Sequence, residues 1–203
     1  MTVGWSELQC DALRELGNVG SGRAATALSM LLSGRPVLSD LPRSVPLVPG
    51  ALASLFPSAR EPWWIARLSL GGGVTGELLI AVPVLSAGEI LSRLLTSNEE
   101  QNPATALSAL SEAANIMGSA YLDGAAALTG LAVVPSPPRI ERQTADDLDQ
   151  RWWSRAASER GGLAISTGFR SGERAGVHLQ GLLVLLPTLS ATRALLSAMR
   201  LSA

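Results

Sequence analysis

A chain of 203 residues with 47% hydrophobic and 16% charged side chains has the composition of a folded globular protein with ample core, and not of a disordered one. Sixteen cations against 17 acids give a formal charge of −1, so there is no broad basic field for nucleic acid. Every cation is Arg, which excludes P-loop and Schiff-base lysines, while a single cysteine (Cys10) and a single histidine (His178) exclude an internal disulfide and the usual His/Cys metal sites or nucleophile–His triads.

The opening stretch MTVGWSELQCDALREL has no basic segment followed by an apolar one, and no run reaches membrane-spanning length. The expectation is a cytoplasmic protein with no membrane insertion. Ser6 followed by Glu7 begins a predicted helix whose apolar stripe, Leu8, Leu13, Leu16, Ala24, Leu28 and Leu31, continues to about Ser33. Gly17, Gly20 and Gly22 each cost about 1 kcal/mol there relative to Ala. Either they let another surface come close, or the helix breaks at 17–22. A dinucleotide-binding reading of these glycines is poor, because a helical pattern precedes them where a strand is required.

Residues 34–50, punctuated by Pro, suggest short strands or extended crossings, and 51–57 a short helix. Trp63–Leu70 and Gly76–Val82 read as strands around a turn at Gly71–Gly73, and Ser86–Leu95 as a helix with Ile90, Leu91, Leu94 and Leu95 inward. The polar tract 96–105 is a junction, dividing the chain into halves 1–97 and 98–203. The second half predicts a helix over about 104–129, strands near 131–142, a polar helix at 144–157, strands at 162–170 and 177–186 around a turn at Ser171–Glu173, and a final helix Leu189–Leu201. Trp63–Trp64 and Trp152–Trp153 read as core or edge packing, His178 as structural, and Asp146, Asp147 and Asp149 as a solvated helix face.

The two long helices nearly repeat one another. Asp11, Glu15 and Asn18 match Ser108, Glu112 and Asn115 at an offset of 97; after Ser33 the offset becomes 96, matching Gly34 with Gly130 and Pro42 with Pro138. One extra residue near Ser33 accounts for the change. Spacings of three and four residues place each acid and its amide on one helical face. Internal self-similarity of this kind points to two related halves.

At these residues the chain resembles the CheC/CheX/FliY family of chemotaxis phosphatases, whose motif is Asp or Ser, three residues, Glu, two residues, Asn, twenty-two residues, Pro. The second copy fits it at every position, and the first has Pro42 one residue late. The segments 72–83 and 163–187 are also similar to the family's strand hairpins. The resemblance implies an α/β (α+β) fold: a pseudo-two-fold duplicated domain with a largely antiparallel β-sheet covered by helices. It further implies hydrolysis of the aspartyl phosphate of a CheY-like response regulator. Glu15 and Glu112 would hold the partner's lysine, and Asn18 and Asn115 would orient the attacking water. Asp11, Ser108, Pro42 and Pro138 would support them. Mg²⁺ would belong to the partner, and this chain would bind no cofactor. The alternative that stays open is a non-catalytic adaptor for a response regulator, a CheD-like deamidase or the flagellar switch.

Overall fold

The computed structural model describes residues 4–155, 162–171 and 179–200; His178 and most of the predicted 171–173 turn lie outside them. Helix α1, Glu7–Leu31, begins in a capping box in which Ser6 Oγ accepts from Gln9 N (3.3 Å) and Gln9 Oε1 accepts from Ser6 N (2.9 Å). It runs unbroken through Gly17, Gly20 and Gly22. Two of these glycines explain why continuity survives their poor propensity. A Cβ on Gly17 would lie 2.5 Å from Ile165 Cγ2, and one on Gly20 would lie 3.0 Å from the Tyr121 ring and carbonyl. The space a side chain would occupy is already filled by neighbouring elements, and tertiary packing overrides propensity.

The second long helix, α4 at Pro103–Thr129, starts at Asn102, whose Oδ1 accepts from Ala104 N and Thr105 N, with Pro103 supplying a preset φ. It crosses α1 so closely that a Cβ on Gly124 would sit 2.9 Å from Gly20 Cα and 3.1 Å from the Val19 carbonyl. Between the two helices the chain forms β1 (Leu38–Ser39), β2 (Arg43–Pro46), a single 3₁₀ turn at Ala53–Leu55, β3 (Pro62–Gly72), β4 (Gly76–Pro83) and α2 (Val84–Leu94). The short helix expected over 51–57 is therefore only that turn. The junction tract is not wholly irregular either: α3, Ser97–Glu100, is closed by a capping box between Thr96 and Glu99. The backbone and hydroxyl bonds from Thr96 hold the Glu99 carboxyl below its ordinary range. After α4 come β5 (Val133–Pro135), β6 (Arg139–Thr144), α5 (Ala145–Arg155), β7 (Leu163–Ser171), β8 (Leu179–Pro187) and α6 (Leu189–Ala198).

All eight strands form one antiparallel sheet in the order β1-β7-β8-β4-β3-β5, with β2 also on β7 and β6 also on β3. The connectivity is reciprocal: β1 and β2 pair with β7 from late in the chain, whereas β5 and β6 pair with β3 from early in it. At the centre β4 pairs with β8, setting Leu79 against Val184 and Ile80 against Leu183. Alternation then sorts side chains to two faces. Ala66, Leu68, Leu78, Ile80, Leu183 and Leu185 pack under α1, α4, α2 and α6. Trp63, Ile65, Leu79, Ala81 and Val184 pack on the other face against α5 and the segment around Leu52–Phe56. The result is three layers, with both long helices on the same face.

Tyr121 sits at the α1–α4 crossing, fully enclosed, and its hydroxyl has no hydrogen-bond partner among the described residues. Burial pushes the phenol's pKa well above its ordinary value. Gly88, in contrast, is exposed on α2, and a Cβ added there would have no neighbour within 4 Å.

These contacts set the sign of three substitutions. Gly124→Ala improves helix propensity yet should lose roughly 1–3 kcal/mol, because the methyl meets backbone that cannot yield without separating the helices, whereas Gly88→Ala should gain about 0.5–1 kcal/mol. Urea denaturation checks the opposite signs, and a stabilising Gly124→Ala would refute the close crossing. Tyr121→Phe removes a buried hydroxyl that lacks a partner and should stabilise by about 1 kcal/mol. Because the folded pKa is raised, the phenol's contribution is intact below the unfolded value of about 10 and is lost as pH rises through it. The advantage of the Phe variant should therefore widen above about pH 10, and melts that run parallel across that range would contradict the burial.

Candidate functional site

At 100° per residue, Asp11, Glu15 and Asn18 span an arc of about 60° on α1. Leu13, Leu16, Gly17 and Gly20 occupy the opposite, buried face. All three polar residues are exposed. Asp11 is ion-paired with Arg14 on the next turn of the helix and not with anything around Glu15. The main-chain carbonyl of Asn18 accepts from Ser21 Oγ at 3.2 Å. Among the described residues, no hydrogen bond or ion pair engages the side chains of Glu15 or Asn18. The face thus offers an uncommitted carboxylate one turn from an uncommitted amide.

On α4 the same arithmetic groups Ser108, Glu112 and Asn115 opposite Leu110, Ala113, Ala114 and Met117. Ser108 and Glu112 are exposed and Asn115 is half-buried, so this amide is held in a tighter setting than Asn18. Neither amide is turned into the core. Glu112 and Asn115 likewise make no side-chain hydrogen bond or ion pair among the described residues. A carboxylate can hold a cation, while a neutral amide can accept from water through its carbonyl and donate through its NH₂. Each helix presents both capacities side by side.

The prolines stand where the chain re-enters the sheet. Pro42 immediately precedes β2 and is buried, within 3.1 Å of a Cβ placed on Gly17; Pro138 precedes β6 and is half-buried. A fixed φ and no donor suit the residue leading into an outer strand. The extra residue in the first copy is visible at the helix ends. After α1 both Ser33 (φ 57°) and Gly34 (φ 81°) are left-handed, whereas α4 ends on Gly130 alone (φ 72°). A further difference between the copies, Gly17 in place of Ala114, has a steric cause in Ile165.

The acidic run on α5 is not a solvated face throughout. Asp146 is exposed and Asp147 exchanges bonds with Thr144, but Asp149 is buried, accepting from Gly50 N (2.9 Å) and Leu52 N (3.0 Å). Those loop amides need an acceptor once covered, and Asp149 supplies it. Of the Trp pairs, Trp63 and Trp152 are core residues, Trp63 edge-on to Phe56 at 5.1 Å and Trp152 edge-on to Trp153 at 4.8 Å. Among the described residues, no group of three or more His, Cys, Asp or Glu could hold a metal ion, and no helix is long and apolar enough to cross a membrane. Reading the repeat missed Arg14, whose signal is its position three residues after Asp11; the matching position in the second copy is Ser111.

Comparison with known proteins converges on these same helices. The profile of the CheC-like family matches residues 8–34 and 106–142, the segments that carry the two Glu/Asn pairs. The chain is 31% identical over 144 residues to the CheY-P phosphatase CheC of Bacillus subtilis, covering 68% of each protein. It is 27% identical over 177 residues to the flagellar motor switch phosphatase FliY of the same organism, covering 83% of this chain and 44% of that longer one. The crystal structure of Thermotoga maritima FliY superposes with a TM-score of 0.69 at 18% identity, over 97% of this chain and 98% of the other. With an antiparallel sheet flanked by helices and that degree of identity to a phosphatase of the group, the chain belongs to the CheC-like family.

Proposed function

We propose that the protein hydrolyses the aspartyl phosphate of a CheY-like response regulator in the cytoplasm. Residues 1–97 and 98–203 act as two copies of one unit, each contributing a site. The observation that carries this reading is the solvent-facing placement of both Glu/Asn pairs, opposite the core on two packed helices, in a chain 31% identical to a CheY-P phosphatase. The reciprocal exchange of outer strands supports the two-copy organisation.

An acyl phosphate needs little acid–base help, because its carboxylate is a good leaving group and the transition state is loose. Rate is gained by positioning. Asn18 or Asn115 accepts a hydrogen bond from a water and aligns its oxygen with phosphorus. The new P–O bond forms as the bond to the aspartyl oxygen breaks, the electron pair departs with the partner's carboxylate, and the water proton passes to phosphate or solvent. Glu15 or Glu112 holds the lysine beside the partner's phosphoaspartate, fixing the two proteins in register. Mg²⁺ is held by the partner's acidic residues, and this chain adds no metal ligand. Asp11 and Ser108 flank the docking face, and Pro42 and Pro138 keep the outer strands behind it.

The second pair is the stronger site on this view, since its motif spacing is uninterrupted and Asn115 is partly enclosed. Decay of a regulator carrying labelled aspartyl phosphate tests the proposal. Asn18→Ala with Asn115→Ala should slow enzyme-dependent decay by about 100-fold or more, in the range of a lost preorganised group at a reacting centre. Binding of the regulator measured by calorimetry should be nearly unchanged. Asn115→Ala alone should cost more activity than Asn18→Ala alone. Loss of docking with normal turnover by the bound fraction would overturn the water-positioning role, and docking with no effect on phosphoryl lifetime would make the protein an adaptor.

A further inference from the structure

On the face of the sheet away from α1 and α4, a polar cleft of about 370 Å³ opens between the β4-β3-β6 ladder and α5. Its floor follows from strand alternation. Ile65 belongs to the core on this face, so Arg67 and Ser69 on β3 point the same way, as do Glu77 on β4 and Arg139, Glu141 and Gln143 on β6. Arg151 and Arg155 reach in from α5. The volume lies in the range of small-molecule sites, and the lining is that of a site for a charged ligand.

The charges do not balance. Glu77 binds Arg67 at 3.2 Å and also meets Arg155 at 3.8 Å, and Glu141 binds Arg151 at 3.1 Å. Both carboxylates are thereby used. Arg139 has no carboxylate partner among the described residues, and it stands directly opposite Arg67 in the ladder. Like charges directly opposite one another are destabilising, and Glu77 offsets only the Arg67 half of this pair. Arg67 cannot swing away to relieve this, since its side chain is only 14% exposed. At the cleft's other end Gln143 is 7% exposed, and its Oε1 is buried with no hydrogen-bond partner among the described residues. That oxygen needs a donor, which an anion alone cannot supply.

We propose that this cleft binds a phosphate monoester whose remaining part carries a hydroxyl or N–H donor, the chemistry shared by nucleotides and sugar phosphates. The phosphoryl group lies against Arg139 and Arg67, and the Gln143 amide, whose Oε1 is closed to solvent as the side chain stands, turns its carbonyl outward to meet the donor. Among the described lining residues, four arginines against two glutamates leave two positive charges in excess. A phosphate monoester carries about −1.5 to −2 at neutral pH and so matches that excess. Planar guanidinium forks suit phosphate oxygens. The site is on the opposite face of the sheet from the Glu/Asn helices and stands whether or not those helices are catalytic.

Calorimetric titration of the full chain with AMP, glucose 6-phosphate, inorganic phosphate and L-aspartate tests the assignment. AMP or glucose 6-phosphate should bind more tightly than inorganic phosphate, and the preference between them identifies the source of the ligand. Arg139→Ala, at an exposed position that the fold does not need, should weaken binding on the order of tenfold or more. Gln143→Met should weaken AMP or glucose 6-phosphate and leave inorganic phosphate unchanged. Asn18→Ala with Asn115→Ala should leave all affinities as they were, which separates this result from any failure of the phosphatase reading. Absence of binding by every phosphate at millimolar concentration, binding indifferent to Arg139→Ala, or preference for L-aspartate would each overturn the proposal.

Discussion

The close crossing of α1 and α4 is the constraint on which the proposed functional face depends. Gly20 and Gly124 bring two backbones together where no methyl fits, and the Tyr121 ring fills the space beside them. Because the contact is backbone against backbone and aromatic ring, it fixes the rotation of each helix about its own axis. Rotation in turn decides which residues meet solvent. A slip of one residue would turn a helix by 100°, carrying Glu15 or Glu112 toward the sheet and exposing a leucine. Loss of helix propensity at the glycines is thus the cost of holding both Glu/Asn faces outward on one rigid layer.

This arrangement was largely legible in the sequence because helical periodicity and duplication are local signals. Glu15 with Asn18 and Glu112 with Asn115 repeat within one helical turn, and the turn itself dictates that they share a face. The single-residue change in offset near Ser33 was legible for the same reason. Its structural form is two consecutive left-handed residues where the other helix has one. The main strands also followed from local patterning, whereas the antiparallel sheet was implied by the family resemblance that the two helices carry. What periodicity could not rank was the pair of outcomes at Gly17–Gly22, since a break and a close approach leave the same mark in sequence. Only Ile165, Tyr121 and Gly124, all remote in the chain, decide between them.

The unread features share that non-local origin. Asp149 looked like one more acid on a polar helix, yet its acceptor role is set by amides of Gly50 and Leu52, about a hundred positions earlier. The arginine-rich cleft draws on Arg67, Glu77, Gln143 and Arg151, which the β3-β4-β6 ladder and α5 assemble from distant stretches. One trace of it was present: each motif proline is followed by arginine, Pro42 by Arg43 and Pro138 by Arg139. The repeat therefore extends into the outer strands. In the second copy this arginine lies over the cleft and faces Arg67, whereas Arg43 pairs across from Ser166.

A chain without lysine has a particular consequence for the proposed chemistry. If Glu15 and Glu112 are to receive a lysine from a docked partner, a flexible ammonium on the same helix would compete with it at high effective concentration. Arginine is less suited to compete when it is already committed to a neighbouring acid. On α1 the nearest cation, Arg14, is tied to Asp11. On α4 the corresponding positions are Ser111 and Ser108, so neither a cation nor its acidic tether is present. Both arrangements leave the glutamate open, by neutralising the adjacent cation in one copy and by omitting it in the other. They differ in their dependence on salt, since an exposed Arg–Asp pair loosens as ionic strength rises and frees a guanidinium beside Glu15. On the proposed reading the first site is the one whose partner contact meets competition from within the chain, and the second is insulated from it by composition alone.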